Sequence, residues 1–195
     1  CGMNVRMEGK PGCSAIPGQE DQFRKDIDEA AGIAGRIDAG AIHMLAGMAE
    51  GAEARATYIR NLTVALEATD RTILIEPLCQ TAMPGYFLRT VEQAAEIIAE
   101  IGNPRLKIMF DCFHVGMENG PSEVADLFRK HAGIIGHVQI ASIPDRVEPL
   151  SGNLLYPNLL PAFQAAGYQG AFGCEYIPAG GDDDAGLARL RGSLA

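Results

Sequence analysis

Four apolar runs each carry, at or near their end, a side chain with oxygen chemistry. They read Ile73-Leu-Ile-Glu76, Lys107-Ile-Met-Phe-Asp111, His137-Val-Gln139-Ile140 and Gly173-Cys-Glu175-Tyr176. A buried strand normally stays apolar to its end, because an unpaired buried carboxylate is expensive. Four repeats of that exception point to one converging site. Glu76, Asp111, Gln139 and Glu175 together make a set of hard oxygen donors, which suits Mg²⁺ or Mn²⁺ better than a thiolate-type zinc site. The expected cofactor is therefore a divalent metal held by these four residues.

Other polar residues lie close to the same runs. His114 follows Asp111 by three positions, where it could bind substrate or stand as a satisfied buried histidine. His137 precedes Gln139 by two and so shares its side of the strand; it would back the ligand or pack beside it, with a place among the substrate-binding residues and direct ligation also open. Arg146 falls in the loop after that strand, where a guanidinium could grip a carboxylate with two hydrogen bonds or simply face solvent. The plain structural readings stay open too. Glu76 and Glu175 could pair with Arg or Lys, Asp111 could cap the following segment as an Asx turn, and Gln139 could be a bonded core amide. His43 and His131 read as structural. Alternation turns Cys112 and Cys174 away from the site, and the acidic run 182–184 reads as a solvated loop.

These residues need a scaffold that brings strand ends together. Periodicity and punctuation predict helices over 20–37, 53–69, 90–101, 122–131, 157–166 and 184–194. Strands are predicted at 41–45, 73–76, 106–111, 134–140 and 171–176, and residues 1–19, rich in Gly and Pro, read as loop. Thr90-Val-Glu-Gln93 fits a capping box. Strand and helix alternate without a hairpin signal, which means βα units and a parallel sheet. Successive marked residues are 35, 28 and 36 positions apart, each close to one βα unit of roughly 30 residues. One marked residue per strand end is the layout of the active-site face of a TIM barrel. A doubly wound sheet would gather its ligand at one switch point, and no GxGxxG or GxxxxGK[ST] supports a nucleotide fold.

The bulk numbers agree with a single domain over 1–195. The chain has 195 residues, 47% of them apolar, and a net charge of −9. The charge argues against a nucleic-acid surface, and no run is long enough to span a bilayer. The five scattered cysteines (Cys1, Cys13, Cys79, Cys112, Cys174) include no CxxC. They indicate neither a disulfide framework nor a zinc knuckle, but free thiols in a reducing compartment. A cytoplasmic protein with a small-molecule substrate is expected.

Read in order, Ile75-Glu76-Pro77, Pro84-Gly-Tyr-Phe-Leu88, Phe110-Asp-Cys-Phe-His114, Gly136-His-Val-Gln-Ile-Ala141, Pro144-Asp-Arg-Val-Glu-Pro149 and Gly173-Cys-Glu-Tyr176 resemble the hydroxypyruvate isomerase family, within the xylose-isomerase-like TIM barrels. The resemblance implies an intramolecular oxidoreductase interconverting hydroxypyruvate and tartronate semialdehyde. The alternatives it leaves are a four-carbon 2-oxo-tetronate isomerase, a sugar epimerase, or an endonuclease of the superfamily. It places the acid/base pair on Glu76 and Glu175, and the metal ligands on Glu76, Asp111, Gln139 and Glu175. Gln where epimerases carry His favours the isomerase branch. The chemistry agrees: moving a carbonyl by one carbon needs a proton taken and returned by carboxylates, and a fixed positive charge for the enediolate.

The chain departs from the family pattern in places. Ile143, Asp145 and Val147 differ in the loop around Arg146, and Gly152-Asn-Leu154 replaces Gly-Glu-Ile. A full barrel has about 250 residues and eight strands. The five strands predicted here match the fourth to eighth, a partial barrel of about five βα units. Such a sheet is expected to have open edges, a tendency to self-associate, and exposed apolar side chains such as Ile75 and the neighbours of Val138. Its activity is then in question, and the contrasting reading is an inactive module that binds metal or a partner.

Overall fold

The computed structural model describes residues 2–3 (backbone only), 11–150, 152–181 and 184–188. It divides into two compact units, Cys1–Met109 and Phe110–Ala195. The Cys1 thiol and most of the acidic run 182–184 lie outside the described residues.

The first unit alternates strand and helix: β1 (Gly2–Met3), α1 (Glu20–Arg36), β2 (Ala41–Met44), α2 (Gly51–Ala68), β3 (Thr72–Ile75), α3 (Val91–Ile101) and β4 (Leu106–Asp111), whose last two residues belong to the second unit. All of its strand pairs are parallel, β1 with β2, β2 with β3 and β3 with β4. β1 corrects the reading of residues 1–19 as loop throughout. A two-residue strand carries too little periodicity to register in sequence; it exists through its pairing with His43 and Met44 of β2.

The helices follow their apolar stripes. α1 buries Phe23, Ile27, Ala30 and Ala34, with Glu20 and Asp21 in its first turn and Arg36 in its last, charges that complement the helix dipole. Thr90 caps α3 by accepting from Gln93 N–H at 3.1 Å. The Gln93 side chain reaches back one residue further than a capping box requires, to Arg89 N–H at 2.9 Å. At the other end of α2, Arg105 supplies donors to carbonyls that the helix leaves unpaired: Leu66 at 2.5 Å and Thr69 at 2.6 Å.

The second unit continues with α4 (Cys112–Asn119), a 3-10 turn (Pro121–Glu123), α5 (Val124–His131), β5 (Ile135–Ile140), α6 (Tyr156–Ala165) and β6 (Phe172–Cys174), and β5 and β6 are parallel. α4 begins directly after Asp111, where no helix was expected. Ser122 lies in the 3-10 turn and is not the cap of α5. The core of this unit is aromatic. Phe128 stacks on Phe163 at 4.0 Å between centroids, and Phe110 meets Phe128 edge-on at 5.4 Å. The Tyr168 hydroxyl accepts from Val138 N–H and donates to Ala171 O, closing backbone groups beside β5.

The exposure expected of Ile75 does not occur. Ile75 and Val138 are both fully buried, because alternation turns them toward the helices. The neighbours of Val138, His137 and Gln139, take the opposite, half-open side. The aromatic stack yields a stability prediction. Phe128→Ala should lower the unfolding free energy by about 3–5 kcal/mol, the usual range for emptying a buried aromatic site. A denaturant titration that moves by less than about 1 kcal/mol would show that the stack is not a core element.

Candidate active site

In the first unit the marked residue is Glu76, the residue after β3. It is 4% exposed. His43 Nε2 stands 3.3 Å from its Oε2. The register explains the approach. His43 lies opposite Leu74, and Glu76 is two residues further along, on the face of β3 that Leu74 shares. Diagonal cross-strand pairs of this kind are within reach of longer side chains. Sequence reading treated His43 as structural. The available signal was that His43 is the one polar side chain in the run 41–45, close to its end, like the four residues that were marked.

In the second unit the centre is Arg146. Its Nη2 donates to Asp111 Oδ2 at 2.8 Å and lies 3.1 Å from Glu175 Oε1. Its Nη1 lies 3.1 Å from His114 Nε2, and its guanidinium carbon sits 4.7 Å from the centre of the Phe113 ring, within cation–π range. Arg146 adopts φ 52°, the left-handed region that side chains enter only when their surroundings hold them there. Those surroundings are hydrogen bonds. Arg146 N–H donates to Ser142 O, and Ile177 N–H to Arg146 O at 2.7 Å. Val147 N–H donates to Ser142 Oγ, and Ala179 N–H to the buried Glu148 carboxylate at 3.2 Å.

Asp111 does two jobs. Its Oδ1 accepts from Phe113 N–H at 2.8 Å, starting α4, so the capping alternative describes one of its oxygens. Its Oδ2 faces Arg146. Burial pushes the Asp111 carboxyl up to about 7, against the pull of Arg146 and of the Phe113 N–H, and the Glu175 charge adds to the rise. His114 is also buried, and burial first and Arg146 second push its pKa down to about 3. It is neutral at ordinary pH, so its 3.8 Å approach to Asp111 Oδ2 is not an ion pair. A guanidinium can only donate, which makes His114 Nε2 the acceptor and puts the ring proton on Nδ1.

Glu175 follows β6, and its side chain is 51% exposed; its pairing with Arg146 matches the plain ion-pair reading as well as the catalytic one. His137 and Gln139 share one side of β5 against Gly173. A Cβ at Gly173 would lie 2.8 Å from His137 Nε2, too close without a shift of that ring, and 3.6 Å from Gln139 Cγ, an ordinary contact. Burial lowers the His137 pKa. Thus Asp111, His114, Arg146 and Glu175 meet around one guanidinium, while Gln139 and His137 meet around Gly173. Cys112 is buried and Cys174 exposed.

The donor set fits a hard divalent cation. Gln139 Oε1 is buried and has no hydrogen-bond partner among the described residues, an arrangement that a buried amide oxygen seldom keeps without a ligand. Asp111 and Glu175 add carboxylate oxygens of the same hard character.

The model of the family described as "Xylose isomerase-like TIM barrel" matches residues 7–192. The chain is 41% identical over 190 residues to a 2-oxo-tetronate isomerase of Cupriavidus necator, covering 94% of this chain and 72% of that one. It is 33% identical to the hydroxypyruvate isomerase of Escherichia coli, covering 87% of this chain and 68% of the relative. The crystal structure of an AP endonuclease, family 2, from Brucella melitensis superposes with a TM-score of 0.92 at 34% identity, over 98% of this chain and 76% of that one. The expected α/β class and TIM-barrel architecture follow, and the chain belongs to the xylose isomerase-like TIM barrel family.

Proposed function

We propose that this chain is an aldose–ketose isomerase that interconverts hydroxypyruvate and tartronate semialdehyde. The observation that carries the reading is Arg146, held between Asp111 and Glu175 beside a neutral His114. A short hydroxy-keto acid needs a cation for its carboxylate and carboxylate groups for proton transfer, and this cluster offers both. A four-carbon 2-oxo-tetronate is the second substrate reading, supported by the 41% identity to an isomerase of that name. An endonuclease role is less favoured by a net charge of −9. Turnover assays with each acid separate the two isomerase readings, and no turnover of either would reject both.

In the proposed mechanism Arg146 binds the substrate carboxylate in the fork of its guanidinium. One of the two glutamates, Glu76 or Glu175, takes a proton from the hydroxymethyl carbon. The electron pair moves to form an enediolate, and the other glutamate returns a proton to the neighbouring carbon. The hydroxyl proton passes between the two oxygens, so the product is an isomer with no oxidant or reductant consumed. His114, neutral and with Nε2 turned to Arg146, orients the guanidinium without adding charge. His137 supports Gln139. Glu76, Asp111, Gln139 and Glu175 would hold Mg²⁺ or Mn²⁺, which would supply a fixed positive charge toward the negative enediolate oxygens.

The reading extends to the setting. Residues 1–195 are proposed as one domain, the C-terminal portion of a barrel; the family match over 7–192 supports the single domain. No described helix is long and apolar enough to cross a membrane. A cytoplasmic location and homo-oligomer formation are part of the proposal, and size measurement in solution tests the second.

Three outcomes are expected. Glu76→Gln and Glu175→Gln keep size and remove the proton acceptor, so each should lower turnover by at least about 10²-fold; near-normal rates in both variants would reject the two-carboxylate mechanism. Arg146→Lys keeps charge but loses the fork, and should raise KM for the acid by about tenfold. The last concerns pH. The unfolded chain takes up a proton at His114 below about 6.5, and the folded chain does so only near 3. That group's contribution to stability therefore falls as pH drops through this window, by up to about 1.4 kcal/mol per pH unit. His114→Gln should flatten the acid limb of the stability curve between about pH 6 and 4, and an unchanged slope would contradict a neutral buried His114.

A further inference from the structure

The end of β2 is held more firmly than a surface strand end needs to be. Beyond His43, the Tyr86 hydroxyl accepts from Ala46 N–H at 2.8 Å, and Ser14 Oγ donates to Leu45 O at 2.7 Å. Ala15 N–H donates to Ala46 O at 2.7 Å, and Phe87 N–H to Gly47 O at 3.0 Å. Two glycines make the close passage available. Gly12 and Gly47 have φ of 77° and 91°; a Cβ on the first would lie 2.4 Å from Leu45 O, and on the second 2.6 Å from Gly12 O. Both conformations and both distances exclude a side chain.

What this frame fixes is the backbone just beyond the imidazole. In β2, Ile42 and Met44 are buried in the core, and alternation turns His43 to the other side, toward Glu76. A carboxylate offers only lone pairs, so this 3.3 Å contact favours the tautomer with hydrogen on Nε2, although the atoms as placed stop short of hydrogen-bond geometry. We propose that His43 is a positioning residue for Glu76: its Nε2 stands 3.3 Å from Oε2, short of hydrogen-bond geometry as placed, and as an N–H donor turned onto that oxygen it limits the carboxylate rotamer so that Oε1 serves the proton transfer. This rests on the isomerase reading above for its purpose, but the contact itself stands on the register of β2 and β3. A group whose reacting oxygen is aimed by a second side chain loses rate, more than substrate affinity, when that side chain goes.

The test uses the full chain with ¹⁵N-labelled histidine. The His43 signals are assigned by their loss in His43→Gln. The expected result is a protonated Nε2 in the unsubstituted protein and a shifted signal in Glu76→Gln, with no shift in Glu175→Gln. An Nε2 with a free lone pair, or a signal indifferent to Glu76→Gln, would overturn the proposal. Kinetics give the second arm. His43→Leu should lower kcat by about tenfold or more with KM within about twofold, and His43→Gln, whose Nε2 amide can donate at similar reach, should recover kcat to within about threefold of the unsubstituted protein. Full activity in His43→Leu, or equal damage in both variants, would overturn it too. Should His43→Leu fail to fold, the spectroscopic arm still decides. Absence of isomerase activity in the unsubstituted protein would instead reject the function proposed above, while the histidine signals still report on the contact.

Discussion

A carboxylate as deeply buried as Asp111, 1% exposed, persists only where cations and N–H groups replace the water it has lost. Much of the second unit is arranged to supply them. The first turn of α4 gives the Phe113 N–H, and the loop after β5 gives the Arg146 guanidinium. To deliver that guanidinium the backbone at Arg146 enters the left-handed region, and bonds from Ser142, Ile177 and the Ser142–Val147 pair hold it there. Taking away the guanidinium would leave a buried charge unpaired, and the carboxyl, already raised by burial to about 7, would be driven further toward its neutral form. One ion pair thus couples a helix start, a loop conformation and the protonation of a site residue.

The same pair explains why one residue can look structural and functional together. Asp111 caps α4 with one oxygen and meets Arg146 with the other. A cap alone needs no arginine, and a surface ion pair needs no burial. The combination is what a site requires when a carboxylate must be held still and yet remain available for exchange with a ligand. Gln139 shows the complementary case, a buried oxygen with no bond among the described residues.

Much of the site was legible because strand ends mark themselves. Alternation and the 35-, 28- and 36-residue spacing placed Glu76, Asp111, Gln139 and Glu175 at or beside the ends of β3 to β6, and helix boundaries came within a few residues where caps and apolar stripes were clear. What stayed hidden was whatever depends on pairing between distant segments. β1 is two residues long and owes its existence to β2. α4 is short and carries Gly116 in its interior, a residue that reads as a breaker; its start is set by the Asp111 cap. His43 became a candidate only through the β2–β3 register, and no local pattern reports a register. Arg146 was marked as a carboxylate grip, but its three partners come from positions 111, 114 and 175, which sequence alone could not bring to one guanidinium.

The departures from the family pattern take on a physical sense in this setting. Ile143 and Leu154 are both buried, and both pack against Gly116 of α4: a Cβ there would lie 3.1 Å from Ile143 Cδ1, a tight fit, and 3.6 Å from Leu154 Cδ1, an ordinary contact. Gly152 has φ 85°, and a Cβ on it would lie 2.5 Å from Ile143 O. These residues form an apolar seat beneath the loop that carries Arg146, while Asp145 is exposed. Two of the changes therefore bear on how the loop that carries Arg146 is seated.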